Sequence, residues 1–305
     1  MLALLDRLRS LGRRRSRPDR PLAQDPLLAL AAAEPRRRWE AAEVLGAMAA
    51  QAQTVAALTQ ALNDPEPFVR WQAGRSLVAL NTEESFQALA DSLQAPSPVQ
   101  RAAAAEALGH SQWPAVIPLL AEALTDADAG VRVAGALALG RLRRAEGTPY
   151  LAAALQTETS PGVRWALTRA LGMIGVPTGA QALYNCLISQ WEEPQVRRSA
   201  VWAAGRMGWD ATAVAALLTA LEDPDAPTRW QACLSLGQVT QEAVRSGLAD
   251  RAAVAAVREG LGRLREDGAN AGQGLVGEAA AQALAQIEAA LWARRGKEKE
   301  KKESR

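Results

Sequence analysis

A ten-residue segment that recurs along the chain constrains the fold more than any other feature of the sequence. It reads VRWQAGRSLV at 69–78 and returns in seven further copies, the last of them degenerate. The first seven copies follow one another at offsets of 32, 31, 31, 32, 33 and 32 residues, and the last follows at 48. Self-similarity at such a period indicates an array of stacked structural repeats. The copies occupy 37–46, 69–78, 100–109, 131–140, 163–172, 196–205, 228–237 and 276–285.

Between the copies lies a second apolar helical pattern, such as TVAALTQAL at 54–62, and then a turn rich in Asp and Pro, such as NDPEP at 63–67. Asp caps helix N-termini and Pro is tolerated in the first helical turn, so each unit is predicted to be a helical hairpin. The hydrophobic residues are mainly Ala and Leu, which favour helix, and the fold is therefore predicted to be all-α. Six copies end in glycine, which predicts a left-handed residue that closes each helix. These glycines are Gly46, Gly109, Gly140, Gly172, Gly205 and Gly237.

The helical period assigns a direction to each position of the copies. At about 100° per residue, positions 1, 5, 8 and 9 share one side and hold Val, Ala and Leu, so they are expected to face the core. Positions 3 and 7 lie on the other side, yet five tryptophans fall there. Aromatic residues beside Arg and Glu are typical of an interaction surface, although each Trp could equally lie flat across the next repeat as packing. The predicted contact residues are Trp39, Trp71, Trp165, Trp202 and Trp230, with Glu40, Gln72, Arg75, Arg169, Arg198 and Gln231.

Position 2 is arginine in seven copies, which suggests either a phosphate-binding stripe or a structural ladder. The ladder is the better interpretation, because a guanidinium at this position can donate hydrogen bonds to the Asp and the carbonyls of the neighbouring turn. The seven residues are Arg38, Arg70, Arg101, Arg132, Arg164, Arg197 and Arg229.

The turn with Asp followed by V-R-x-x-A-x-x-A-L-G resembles HEAT-like repeats of the short type found in phycobilisome bilin lyases and in many other bacterial proteins. The likeness covers residues 25 to about 290. It implies an α-solenoid, a right-handed superhelix of about eight HEAT-like hairpins, in which the V-R helix lines the concave side. Val78 in place of Gly, Gln100 in place of Val and the degraded last copy depart from the pattern.

Charge is distributed unevenly around a formal total of +2. A basic amphipathic arm at 1–20 carries +5 and a charge-mixed tail at 294–305, predicted to be disordered, carries +4, so the repeat body at 21–293 carries −7. A body of that sign makes nucleic acid an unlikely partner, because binding to nucleic acid requires neutralisation of phosphates. Residues 1–17 place leucines on one face and arginines around them, which suits an anionic membrane surface or a partner groove, but also a frayed solubilising arm.

Few residues of the sequence are of the types that catalyse reactions or bind metals. Cys186 and Cys233 lack the spacing of a disulfide framework or a zinc site, and His110 is the single histidine, so neither a metal site nor a catalytic constellation is predicted. The sequence has no secretory signal pattern and no apolar run near the 20 residues that span a bilayer, which favours the cytoplasm, with a peripheral membrane location as an option.

The preferred function is a non-catalytic scaffold or assembly factor, without a cofactor, that binds a partner protein on its concave, Trp-bearing face. The resemblance leaves one alternative: a bilin-lyase-like enzyme or chromophore chaperone. In it the tryptophans would stack on an open-chain tetrapyrrole, and carboxylates such as Glu40, Glu43 and Glu106 would hold its nitrogens.

Overall fold

The computed structural model describes residues 25–189, 191–270 and 274–303, and this part of the chain is helical with short connections and no strand. Three single turns of 3₁₀ helix lie at Ala145–Gly147, Pro177–Gly179 and Ala220–Glu222. The α-helices are α1 (Pro26–Ala29), α2 (Pro35–Gly46), α3 (Ala52–Ala61), α4 (Pro67–Leu80), α5 (Glu83–Ser92), α6 (Pro98–Leu108), α7 (Val116–Ala123), α8 (Ala129–Leu142), α9 (Thr148–Thr157), α10 (Pro161–Ile174), α11 (Ala180–Ile188), α12 (Pro194–Ala204), α13 (Ala211–Thr219), α14 (Ala226–Ser246), α15 (Arg251–Asn270) and α16 (Gly274–Glu303).

Two rows of helices run along the molecule. The even-numbered helices from α2 to α16, here called the motif helices, carry the eight copies, and each packs on the next motif helix. The odd-numbered helices from α3 to α15 form the second row, and most of them contact one another less closely. This arrangement is an all-α solenoid, as predicted. The offset of 48 residues before the last copy arises because α14 and α15 are longer than their counterparts, with 21 and 20 residues.

The inward positions of the copies form one continuous core. In α4, the side chains of Val69, Ala73 and Leu77 are fully buried, as the helical period predicts. The buried cluster extends from Ala42 in α2 to Ala290 in α16. Each fully buried Leu or Val contributes about 1.5–3 kcal/mol of transfer free energy, so stacking supplies the stability that a single hairpin lacks.

The glycines at position 10 serve close packing between repeats, and the prediction that they are left-handed helix ends was wrong. Positive φ angles among the described glycines occur at Gly175, Gly208 and Gly247, none of which belongs to the copies. Instead, a Cβ atom added to Gly109 would lie 2.7 Å from the Cα atom of Ala138, at position 8 of the next copy. The same relation joins Gly46 to Ser76, Gly140 to Ala170, Gly172 to Ala203, Gly205 to Ser235 and Gly237 to Ala283.

The second and third copies reach the same close packing by another route. Val78 occupies position 10 of the second copy, and Gly74, one helical turn earlier, takes its place: a Cβ atom on Gly74 would lie 2.8 Å from the Cβ atom of Ala107. Ala107 is again position 8 of the following copy. The small residue at position 8 is therefore the more constant half of the contact.

The arginines at position 2 form the ladder that the sequence predicts. Arg38 donates from Nε and Nη2 to the two carboxylate oxygens of Asp64 at 2.6 and 2.9 Å, and from Nη1 to the carbonyls of Ala32 and Ala33 in its own turn. Asp64 precedes the next copy, so each pair joins two repeats. The carboxylate also accepts from the backbone N–H of Glu66 and closes the turn. The equivalent pairs are Arg101–Asp126, Arg132–Glu158, Arg164–Glu192 and Arg197–Asp223.

The ends of the chain differ in what the structure describes. Residues 1–24 lie outside the described part, so the membrane-surface role suggested for 1–17 stays a prediction. A disordered tail was predicted from residue 294, but α16 continues as helix to Glu303. Its Lys, Glu and Arg residues are good helix formers, and Gly296 is the single weak position. Across the described residues, the helices are too short or too polar to cross a bilayer.

Both cysteines are part of the core. The thiols of Cys186 and Cys233 are buried and unpaired. Burial raises the pKa of each thiol to about 12, and the nearby carboxylate of Glu192 adds to the effect at Cys186. Since the thiolate is the reactive form, neither thiol is activated at neutral pH.

The glycine contact can be tested with a matched pair of alanine variants. We expect Gly109→Ala to lower the free energy of unfolding by about 1–3 kcal/mol, because the added methyl meets the backbone of α8. Gly162→Ala is the control: a Cβ atom there meets nothing within 4 Å, so this variant should gain roughly 0.4–1 kcal/mol. Urea denaturation of the full chain measures both, and equal effects would contradict the packing role.

The ladder predicts loss of stability in acid. Burial opposes ionisation of Asp64, but the hydrogen bonds from Arg38 and Glu66 outweigh it and hold the pKa of this carboxyl below its usual range. The pKa values of Asp126 and Glu158 are lowered as well. A lowered folded-state pKa contributes stability above the unfolded value of about 4, and this contribution disappears as pH falls below it.

Thermal melting of wild type and Asp64→Asn between pH 7 and pH 3 measures this contribution. The amide can still accept from Glu66 but carries no charge, so the variant should melt lower at pH 7 and lose less on acidification. Parallel pH profiles for the two proteins would rule the contribution out.

The buried thiols give a third prediction. With pKa values of about 12, both cysteines should fail to react with a disulfide reagent at pH 8 in the folded protein and should react fully in urea. Titration of free thiols by absorbance gives the count in each state. Rapid reaction of either thiol in the native protein would show that the core opens there.

Candidate functional site

The outward face of the motif helices carries the five predicted tryptophans, but to different degrees. Trp165 and Trp230 expose 39% and 40% of their surface. Trp39, Trp71 and Trp202 are half-buried, so for these three the packing interpretation holds in part. The indole Nε1 of Trp39 is buried and has no hydrogen-bond partner among the described residues.

Trp202 packs between repeats. Its ring lies against Gly172 of the preceding copy, where an added Cβ atom would come within 2.6 Å of the ring. The guanidinium of Arg169 lies over the ring at 3.7 Å from its centroid, and that of Arg206 at 5.2 Å. Arg206 also donates to the carbonyl of Gly172 at 2.9 Å. Cation–π contacts of this kind hold Trp202 and Arg169 in place, so both stabilise the stack.

Trp71 lies at the edge of a groove. The groove has a volume of about 470 Å³ and crosses α4, α6 and α8. Trp71 forms one wall, with the guanidinium of Arg75 over its ring at 4.7 Å. The floor consists of small or aliphatic residues that belong mainly to the third and fourth copies, namely Gly74, Ala102, Ala103, Ala107, Val133, Ala134 and Leu137. The size is within the range of ligand-binding clefts, which is about 300–1,000 Å³.

The groove owes its existence to a gap in the tryptophan series. Position 3 is Trp in the first, second, fifth and seventh copies but Ala102 and Val133 in the third and fourth. Where the large rings are missing, the small side chains leave a depression behind Trp71. The gap is visible in the sequence, but the sequence analysis predicts the tryptophans as the site. It does not identify the interval at Ala102 and Val133 as a groove.

Charged groups surround the apolar floor, and most are paired. Glu106 lies 3.6 Å from Arg141, and the carboxylate of Asp128 caps α8 by accepting from the backbone N–H groups of Gly130 and Val131. His110 lies on the rim beside Arg141. The groove thus combines an apolar floor with a rim of alternating charge, which is a composition that suits a peptide better than a purely apolar ligand.

The remaining predicted contact residues engage their own helices. Gln72 is buried and donates to the hydroxyl of Ser76 at 3.2 Å, and Ser76 in turn donates to the carbonyl of Ala42. In the seventh copy, Gln231 donates to Ser235 in the same way at 3.3 Å. Through Ser76, the amide of Gln72 therefore supports the contact between repeats.

Two charged members of the predicted set also have partners nearby. Glu40 forms an ion pair with Arg36, one turn away on α2, at 2.8 Å. Arg198 lies 3.6 Å from Asp225 and keeps 45% of its side chain exposed. Of the residues predicted as contacts, the groove brings together Trp71 and Arg75, while the others lie along the row on either side of it. No group of His, Cys, Asp and Glu residues that could hold a metal ion occurs within the described ranges.

Comparisons with known proteins agree with this architecture. The family model for HEAT repeats matches residues 24–109, 87–172, 117–193 and 186–263. The comparison with curated proteins finds no match.

Solved structures similar to this chain include the E. coli protein YibA, with 16% identity, a TM-score of 0.53 and coverage of 84% of this chain and 97% of that chain. The complex of CpcE and CpcF of phycocyanin lyase from Nostoc sp. PCC7120 shares 22% identity at a TM-score of 0.38, with coverage of 70% and 86%. The structure of human deoxyhypusine hydroxylase in complex with glycerol shares 22% identity with this chain at a TM-score of 0.35. The match covers 86% of this chain and 94% of that chain. Because the family model matches most of the chain, this protein belongs to the HEAT-repeat family.

Proposed function

We propose that this protein is a non-catalytic HEAT-repeat scaffold or assembly factor that binds a segment of a partner protein in the groove across α4, α6 and α8. The single observation that carries the proposal is the groove itself, with Trp71 as a wall and an apolar floor. Tryptophan is enriched among the residues that dominate binding energy at protein interfaces, especially where it borders a pocket.

The groove is preformed, which favours binding. Its floor lies on three helices whose spacing is fixed by contacts between Gly or Ala residues and by the buried core behind them. Binding would therefore reduce the conformational entropy of the partner segment, with little further loss of entropy in this protein. Helical walls with short side chains also allow a backbone to approach closely.

The exposed tryptophans further along the row support a contact surface longer than the groove. Trp165 and Trp230 occupy position 3 of the fifth and seventh copies, on the same side of the motif helices as Trp71. Tryptophan is enriched at protein interfaces, and Arg198 lies at the same position of the copy between these two. We infer that a folded partner, or a long segment, reaches these residues after its anchor has entered the groove.

Affinity capture from an extract of the source cells tests the proposal. We expect Ala102→Arg, which puts a long charged side chain on the half-buried floor of the groove, to lower recovery of the specific partner at least tenfold. Trp292→Ala is the matched control, because Trp292 is 77% exposed on α16, away from the groove, and its loss should leave recovery unchanged. Circular dichroism confirms that both variants remain helical.

Two outcomes would contradict the proposal. Equal recovery of the same proteins with wild type and Ala102→Arg would show that the groove is not the binding site. A visible absorbance band that appears when an open-chain tetrapyrrole is added, and that is lost in Ala102→Arg, would instead support the chromophore-chaperone alternative.

A further inference from the structure

Among the steps of the arginine ladder that the structure describes in full, the step at Arg70 has no carboxylate. In each of the five complete pairs, the acid lies 25–28 residues after its arginine, in the turn before the next motif helix. For Arg70 the corresponding residue is Ala95. Its register is fixed by the backbone: Arg101 donates from Nη1 to the carbonyl of Ala95, just as Arg70 donates to the carbonyl of Asp64 and Arg132 to that of Asp126.

Arg70 is therefore held at one edge only. Its Nη1 donates to the carbonyls of Asp64 and Pro65 at 2.6 and 2.9 Å, which fixes the guanidinium in the same position as in the other copies. The Nε and Nη2 edge, which makes two hydrogen bonds to a carboxylate elsewhere in the ladder, has no acidic partner within the described part of the chain. An oriented guanidinium edge of this kind matches the geometry of a carboxylate.

Arg70 itself is one of the residues that line the groove. Arg70 lines it together with Trp71, Pro98 and Val99 at the N-terminal ends of α4 and α6. The charge of Asp64 acts on Arg70, but its carboxylate is held by Arg38. On the groove wall, Asp128 is occupied as the cap of α8 and Glu106 is paired with Arg141. A carboxylate that enters from outside would thus meet a fixed guanidinium edge without its ladder acid, beside an apolar floor.

We propose that Arg70 binds an aspartate or glutamate side chain of an extended partner segment, whose neighbouring apolar residues lie on the floor of the groove against Trp71. This inference rests on the proposed function and adds the chemistry of the partner. A peptide fits better than a compact ligand, because three motif helices spaced roughly 8–10 Å apart span about 20 Å, which about six extended residues cover.

The test uses the full chain and a random heptapeptide library displayed on phage. Selected peptides should contain an acidic residue flanked by apolar residues. For a selected peptide made synthetically, the change of its acid to the corresponding amide should lower affinity about tenfold or more. Arg70→Gln should cause the same loss and should make the acid and amide peptides bind equally.

A second variant tests the open position without removing Arg70. Ala95→Asp supplies the missing carboxylate from within the chain, so it should raise the melting temperature by about 1–3 °C, and the gain should vanish in the Arg70→Gln background. It should also lower affinity for the acidic peptide about tenfold. Thr159→Asp is the control, since it adds the same charge in an exposed turn two repeats further on, outside the groove, and should leave affinity unchanged.

The outcomes separate the two proposals. Suppose that the selected peptides carry no acid, that Ala102→Arg lowers their affinity, and that Arg70→Gln and Ala95→Asp do not change it. This result would overturn the inference about Arg70 and leave the scaffold function standing. A library that yields no binder dependent on the groove would overturn both.

Discussion

The close approach of successive motif helices is the constraint on which the rest of the structure depends. At each step a glycine meets a small residue at position 8 of the next copy, and the backbones come so near that a methyl group would not fit. This contact fixes the spacing and the register of the row. The core, the arginine ladder and the groove all follow from it, because each requires side chains of neighbouring copies to meet at a defined height along the helices.

The ladder and the glycine contact act at different places on the same helices. The arginines join the turns at the N-terminal ends of the motif helices, whereas the glycines act near the C-terminal ends. Together they hold each helix against rotation and against sliding. At the last, degenerate copy the glycine contact is retained, with Gly237 on Ala283, although little else of its sequence follows the pattern.

The repeat period and the hydrophobic pattern were sufficient to predict the fold, because each of the eight copies carries the same signals for a helical hairpin. The inward residues and the arginine ladder were also predictable, since both follow from position within the copy. The role of Gly109 was not predictable from the sequence. A glycine at a helix end can either adopt a left-handed conformation or allow a close approach of another backbone, and only the position of the neighbouring helix decides between the two. The contact role of the tryptophan face stays a prediction: Trp71 and Arg75 do lie together at the groove, but Gln72 turns inward to Ser76 on its own helix, and Ser76 donates to the carbonyl of Ala42 of the preceding motif helix. The groove itself depends on what is absent from two copies, Ala102 and Val133 in place of tryptophan, and such an interval has meaning only once the helices stand side by side.

The step between the second and third copies departs from the rule twice. It lacks the ionic link at Arg70, and its glycine is displaced from Val78 to Gly74. In a linear array, unfolding and bending are governed by nearest-neighbour coupling, so the array divides most readily at its weakest junction. That junction separates the first two repeats from the rest of the stack. A ligand that spans this junction would strengthen the coupling between its two sides. The solenoid would then bend and unfold as one unit.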